Sequence, residues 1–127
     1  MTSERKRISS GSPYEATIGF SRAIHVADRV IVSGTAPIWP DGSCHPDPKA
    51  QVRRCFEIIA AALGEAGSDL ADVVRTRMYI TDASLGDVIG EAHCEVLGAI
   101  RPAATMVVVA GLLDERWKVE IEAEAVV

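Results

Sequence analysis

The sequence predicts an α+β domain in which a mixed β-sheet carries two helices packed on one face. Two amphipathic stripes of helical period, a set of short Val- and Ile-rich segments, and their order along the chain (ββ, α, β, α, ββ) lead to that reading. A chain of 127 residues supplies one core rather than two. Its 48% hydrophobic and 24% charged residues are ordinary globular values, which excludes global disorder.

Residues 1–13 carry Ser, Lys, Arg, Gly and Pro without periodicity and read as a flexible N-terminal arm, leaving 14–127 as the single domain. Ile24 to Gly34 is rich in Val and Ile and turns at Ala27-Asp28, the pattern of a hairpin. Trp39 to Pro48 is turn chemistry, because Pro fixes φ and Gly42 supplies a positive one. Asp47 then offers an N-cap with Pro48 at the first helical position, and Val52, Cys55, Phe56, Ile59, Leu63 and Ala66 form one stripe stopped by Gly67. Val73 to Ile80 alternates, with Val74, Thr76, Met78 and Ile80 on one face and Arg75, Arg77 and Tyr79 on the other. Ser84 and Asp87 resemble a capping box ahead of a second stripe of Leu85, Val88, Ile89, Ala92 and Val96 that ends near Gly98. Ala104 to Val109 reads as a buried strand and Val119 to Val127 as the last one.

Two helices on one face leave the other face of the sheet bare. Glu120, Glu122 and Glu124 fall there with Arg75, Arg77 and Tyr79, and Ala104, Met106 and Val108 are expected to share it. A face that mixes apolar groups with opposite charges suits contact between subunits, so the sequence predicts a homo-oligomer.

Several function classes drop out. A net charge of −5 and six aromatic residues give little electrostatic or stacking support for nucleic-acid binding. The longest apolar runs are far short of the roughly 20 residues of a membrane span, no secretory signal is visible, and three scattered cysteines read as reduced thiols, which together point to a cytoplasmic protein. There is no P-loop, dinucleotide fingerprint, nucleophile elbow or HExxH motif. His25, His45 and His93 lie on different elements, so no metal site is expected. Cys55 reads as a small core hydrophobe and His93 as a surface or interface residue. Arg75, Arg77, Glu122 and Glu124 read as ion pairs across strands. Glu120, near the start of the last strand, is the best candidate to orient a water or take a proton at the end of the sheet.

The run Arg101-Pro102-Ala103-Ala104-Thr105-Met106-Val107-Val108-Val109, followed by Val119-Glu120-Ile121-Glu122-Ala123, resembles the Rid family of reactive-intermediate deaminases, also called YjgF/YER057c/UK114. The resemblance continues through Ser12-Pro13-Tyr14, Val30 to Pro37 and Asp72 to Thr76. It implies a chorismate-mutase-like fold assembled as a homotrimer, with clefts between subunits that bind a small carboxylate or imine. It further implies hydrolysis of enamines and imines to 2-oxo acids and ammonia, as in 2-iminobutanoate/2-iminopropanoate deaminases, without metal or organic cofactor. By position Glu120 matches the water-positioning glutamate, and Tyr14, Ser33 and Gly34 match residues of the cleft. Ala104 stands where the family has its substrate-clamping arginine, Thr105 follows it, and Met106 stands in place of the family's cysteine; Phe20-Ser21-Arg22-Ala23 with Arg101-Pro102-Ala103 resembles the branches that lack the clamp. Alanine neither neutralises nor orients a carboxylate. Arg22 and Arg101 are the candidates to take over that role. Two readings follow: an imine hydrolase with a relocated clamp, or a non-catalytic trimer that binds a small metabolite.

Overall fold

The alternation of Val, Ile and Ala with Glu along residues 119–125 sets the two faces of the sheet: Val119, Ile121, Ala123 and Ala125 are buried, and Glu120, Glu122 and Glu124 point the other way. In a computed structural model, which describes residues 4–127, the order is β1 (Arg5–Ile8), β2 (Ala23–Val26), β3 (Arg29–Thr35), α1 (Pro48–Glu65), β4 (Val73–Ile80), α2 (Gly86–Leu97), β5 (Ala103–Val108) and β6 (Val119–Val126). The strands form one mixed sheet in the spatial order β1-β2-β3-β6-β4-β5. Among the described residues only β4 and β5 run parallel, joined by the α2 crossover, and the other pairings are antiparallel.

Both helices cover the face that carries Val30, Val32, Met78, Ile80 and Ile121. Ile59 and Leu63 of α1 and Ile89 and Leu97 of α2 are fully buried against it. Each such side chain contributes about 1.5–3 kcal/mol through its burial. Helix α1 begins as the sequence indicates: Asp47 accepts from Ala50 N at 3.0 Å, and Pro48 occupies the first turn, where its missing N–H costs nothing. It ends with Gly67 at φ +84° while Ser68 N donates to Leu63 O at 2.8 Å, a Schellman closure that a Cβ would strain. Among the described residues no helix is long and apolar enough to cross a membrane.

The structure corrects five expectations. Residues 5–8 belong to an edge strand paired with β2 rather than to a flexible arm; Ile8 is the one buried anchor in a run of exposed Arg and Lys, so the apolar signal was too short to read. The first three residues of that arm lie outside the described residues. Val74 leaves its expected face because the register slips between Val73 and Arg75, which returns Val73 to the core. The Ser84–Asp87 box does not form; Asp82 instead accepts from Ser84 N at 2.8 Å and caps a short 3₁₀ turn, and α2 starts at Gly86 without a side-chain cap. Ala104, Met106 and Val108 align with Thr76, Met78 and Ile80 on the helix face, so the bare face receives Ala103, Thr105 and Val107. Finally, β5 is not buried: it lies at the sheet edge beyond the cover of the helices, Val108 is 56% exposed, and Met106 alone reaches the core.

His93 is also not a surface residue. It is half-buried between α2 and β4, with Nε2 2.9 Å from the hydroxyl of fully buried Thr76 and its ring edge-on to Phe56 at 5.7 Å. Burial pushes its pKa below that of a free imidazole. The unfolded chain therefore binds a proton near pH 6.5 that the folded one refuses until lower pH, and stability falls as pH drops through that window. Thermal melts at pH 7.5 and 5.5 are expected to show this loss, and His93→Gln, which keeps a partner for Thr76, is expected to flatten it.

Candidate active site

At the end of β3 the ladder with β6 slips between Val32 and Thr35, leaving Ser33 and Gly34 outside regular pairing. This bulge organises the site. Ser33 Oγ donates to Ser21 O at 2.7 Å and Ser33 N to Arg22 O at 3.0 Å, while Arg22 N donates to Ile8 O at 2.8 Å, so the backbone of Arg22 is tied to strands on both sides. Its guanidinium Nη2 donates to Gly34 O at 2.7 Å, its carbon stands 5.6 Å from the centre of the Phe20 ring, and its Nε is buried with no partner. Glu120, opposite Tyr79 in the register, turns its carboxylate over Gly34. A Cβ on Gly34 would overlap Glu120 Oε2, so the carboxylate occupies the space that only glycine leaves open.

The electrostatics follow from this packing. Burial pushes the Glu120 carboxyl above its usual range, Arg22 partly opposes the shift, and Glu122 adds to it. Burial works against the Arg22 charge, which the carboxylates of Glu15 and Glu120 support. Glu15 is itself held below the usual carboxylate range by the Ser10 hydroxyl at 2.6 Å and the Ser10 amide at 2.9 Å. Beyond Glu120 the bare face continues as ion pairs: Arg77 with Glu122 at 3.1 Å, and Arg29 and Arg75 with Glu124 at 3.1 and 4.0 Å. The Tyr79 hydroxyl donates to Glu122 at 2.7 Å, a bond that raises its pKa. The pairing expected for Arg75, Arg77, Glu122 and Glu124 is thus present.

Of the residues singled out in the sequence, Ser33, Gly34, Arg22 and Glu120 come together. Tyr14 heads the helical turn Glu15–Gly19 and is 58% exposed. Ala104, Thr105 and Met106 do not join this cluster within one chain. Val107, not Ala104, is level with Tyr79 and Glu120, so Ala104 lies about 10 Å along the sheet and about 10 Å across it from Glu120. Arg101 is farther still, exposed ahead of β5 with a φ of +55°, and cannot serve the Glu120 of its own chain. Two contributors were not read from the sequence: Glu15, whose carboxylate faces Arg22, and Phe20, which backs its guanidinium. A groove opens beside the cluster, with Ile24 and Ile31 in its floor and Arg7, Glu15, Phe20 and Ser33 around it. Cys55 lies buried on the helix side with its thiol donating to Thr35 O at 3.2 Å, and burial pushes its pKa far up, which makes it inert. Among the described residues no three His, Cys, Asp or Glu side chains converge as metal ligands would.

A mixed sheet with helices on one side, and a half-buried carboxylate set against a guanidinium at a strand bulge on the other, defines an α+β protein with its candidate chemistry on the open face. The chain belongs to the YjgF/Rid family: it matches the endoribonuclease L-PSP family over residues 11–127. It is 44% identical to a Mycobacterium tuberculosis member of the YjgF/YER057c/UK114 family of known structure, with a TM-score of 0.90 over 98% of this chain and 100% of the other. An uncharacterized protein of Streptomyces coelicolor is 39% identical over 127 residues, covering 98% of this chain and 95% of that one. A 2-iminobutanoate/2-iminopropanoate deaminase of Salmonella typhimurium is 33% identical over 116 residues, covering 87% and 90% of the two chains.

Proposed function

We propose that this protein hydrolyses small imines, with Glu120 as the general base, in a homotrimer whose neighbouring copies cover the bare sheet face. The observation that carries the reading is the half-buried Glu120 carboxylate, its affinity for protons raised, lying over Gly34 within the field of Arg22. Such a group takes a proton from water near neutral pH more readily than an exposed carboxylate does. As it does so, the water oxygen bonds to the carbon of a protonated C=N, whose π pair moves to nitrogen and gives a neutral carbinolamine. Glu120 then returns the proton to nitrogen, the C–N bond breaks to release ammonia, and the remaining hydroxyl proton leaves as the carbonyl forms. Similarity to a named imine deaminase supports the reaction class. No step calls for a metal or organic cofactor. The ion-paired bare face supports the trimer, because it holds charge in matched pairs that tolerate coverage.

The test is imine disappearance in the presence of semicarbazide, with imino acids and simple imines supplied by oxidases. Wild-type protein is expected to outpace spontaneous hydrolysis. Gly34→Ala should fold, since the added Cβ meets only the movable end of Glu120, but should lose at least about tenfold in rate because the carboxylate is pushed out of place. A rate no better than spontaneous for every imine would overturn the hydrolase. It would leave the second reading, a metabolite-binding trimer without turnover, which the uncharged Ala104 on β5 favours.

A further inference from the structure

We infer that Arg22 is the specificity-determining residue of the Glu120 site, gripping a carboxylate borne on the imine carbon from within the same chain; this rests on the hydrolase reading above. A guanidinium withdrawn from water is ordinarily matched by an anion. Arg22 is half-buried, yet among the described residues it makes no ion pair. Its one side-chain hydrogen bond runs from Nη2 to Gly34 O at 2.7 Å. Nε is buried without a partner, and Nη1, also unpartnered, is not buried within its own chain. The neighbouring carboxylates support the charge through space and leave these N–H groups unfilled: Glu15 is bonded to Ser10 Oγ at 2.6 Å and Ser10 N at 2.9 Å, and Glu120 lies over Gly34. What Arg22 lacks is an anion, and a carboxylate is the planar group its fork fits.

Its position suits that role. Arg22 meets Gly34 at the carbonyl and Glu120 meets the same residue where a Cβ would stand, so cation and general base share one residue of the bulge. In a 2-imino acid the carboxylate is bonded to the carbon that the water attacks, which requires clamp and base to stand side by side. The protonated substrate is a zwitterion, and its iminium and carboxylate match Glu120 and Arg22 in sign. The clamp is also preorganised: Ser33 N donates to Arg22 O, Arg22 N donates to Ile8 O, and the guanidinium carbon stands 5.6 Å from the centre of the Phe20 ring. Little freedom is left to lose on binding. All of these bonds lie within one chain and do not depend on what a neighbouring copy adds to the face. Arg101 is the rival cation, exposed ahead of β5 and able to approach a Glu120 only in a neighbouring copy.

The matched pair for the test is 2-iminobutanoate, made from 2-aminobutanoate by an amino-acid oxidase, and propan-1-imine, made from propan-1-amine by a flavin amine oxidase. The two differ only in carboxylate against hydrogen on the C=N carbon, and each kcat/KM is divided by the rate of spontaneous hydrolysis. Wild-type protein is expected to favour 2-iminobutanoate by at least about tenfold, the discrimination a single charge partner provides. Arg22→Met is expected to lower that ratio by at least about tenfold, and Arg22→Lys to keep part of it, because an ammonium supplies charge without the fork. Arg101→Met is expected to leave the ratio within about twofold. A merely structural role for Arg22 would lower both rates and leave the ratio unmoved. An unmoved ratio in Arg22→Met, its collapse in Arg101→Met, or equal or faster turnover of propan-1-imine by the wild type would overturn the proposal while leaving the hydrolase standing. Binding supplies the independent arm: in an NMR titration followed at the Gly34 amide, 2-oxobutanoate is expected to bind the wild type at least about tenfold tighter than Arg22→Met. That difference without turnover of either imine would overturn the hydrolase and keep Arg22 as the carboxylate clamp. No binding to the wild type, as when a neighbouring copy's carboxylate fills Nη1, or equal binding to both proteins, would overturn the proposal.

Discussion

Glu120→Gln is expected to lower kcat for imine hydrolysis by about 10²–10⁴-fold, the usual worth of a positioned general base, while the protein still melts cooperatively. The amide fits the same space over Gly34 and cannot accept the water proton. The pH dependence gives a second readout. Because burial raises the Glu120 pKa, the rate should fall with acid from a higher pH than an exposed carboxylate would give. Arg22 opposes that shift, so Arg22→Met should move the acid limb to still higher pH, whereas Arg22→Lys, which keeps the charge, should move it less. Stability carries the opposite sign: a carboxyl whose folded pKa is raised loses stability as pH rises through it, so at neutral pH ionised Glu120 is a burden on the fold. A kcat/KM profile of the three proteins checks the two shifts of the acid limb, urea unfolding against pH checks the stability, and an unshifted limb in Arg22→Met would remove Arg22 from the site.

The largest effect on stability is expected at Gln51, which is 0% exposed in the first turn of α1. Its Nε2 donates to His45 O at 2.8 Å and Arg116 O at 3.0 Å, and its Oε1 accepts from Lys118 N at 2.8 Å. One amide thus fastens the loop before α1 to the segment that leads into β6. Gln51→Ala would leave the Lys118 N–H without its acceptor and the His45 and Arg116 carbonyls with only the long contacts of the Cys44 thiol, and with the lost packing of a fully buried side chain a loss of about 3 kcal/mol is expected in urea unfolding. Gln51→Glu tests whether donors or volume matter. It keeps the size and the acceptor but turns a carboxylate toward two carbonyls, and should be no better than the alanine. Recovery of wild-type stability in Gln51→Glu would show that the space filled, rather than the bonds, holds the loop.

The sequence shows most of what is periodic and little of what is pairwise. Helix α1 is legible from Asp47 to Gly67 because capping, apolar spacing and the positive-φ stop all agree on it. The hairpin turn at Ala27-Asp28 is likewise where expected, although Ala27 adopts a φ of +53° that its identity does not announce. Strand β1 is hidden because three of its four residues are Arg or Lys and its stability comes from pairing with β2. The faces of β4 and β5 are misassigned for a related reason: a bulge at Val74 and an edge position for β5 are properties of neighbours, not of the local pattern. In the site, Glu120, Ser33 and Gly34 are legible together through their resemblance to a family pattern. Arg22 is one of two candidates in the sequence, and only the fold sets it beside Gly34 and leaves Arg101 at the far end of the sheet. Glu15 and Gln51 carry no sequence signal: Glu15 meets Arg22 only through the turn of the chain between them, and Gln51 acts through partners distant in the chain.

The position of β6 has a consequence for how the chain folds. Last of the described strands, it lies between β3 and β4 and alone among them joins β1-β2-β3 to β4-β5. Until it docks, the facing edges of β3 and β4 have no partner and are open templates for pairing with other chains. Substitutions that weaken residues 119–126 should therefore raise aggregation during refolding more than equal losses of stability in the helices do.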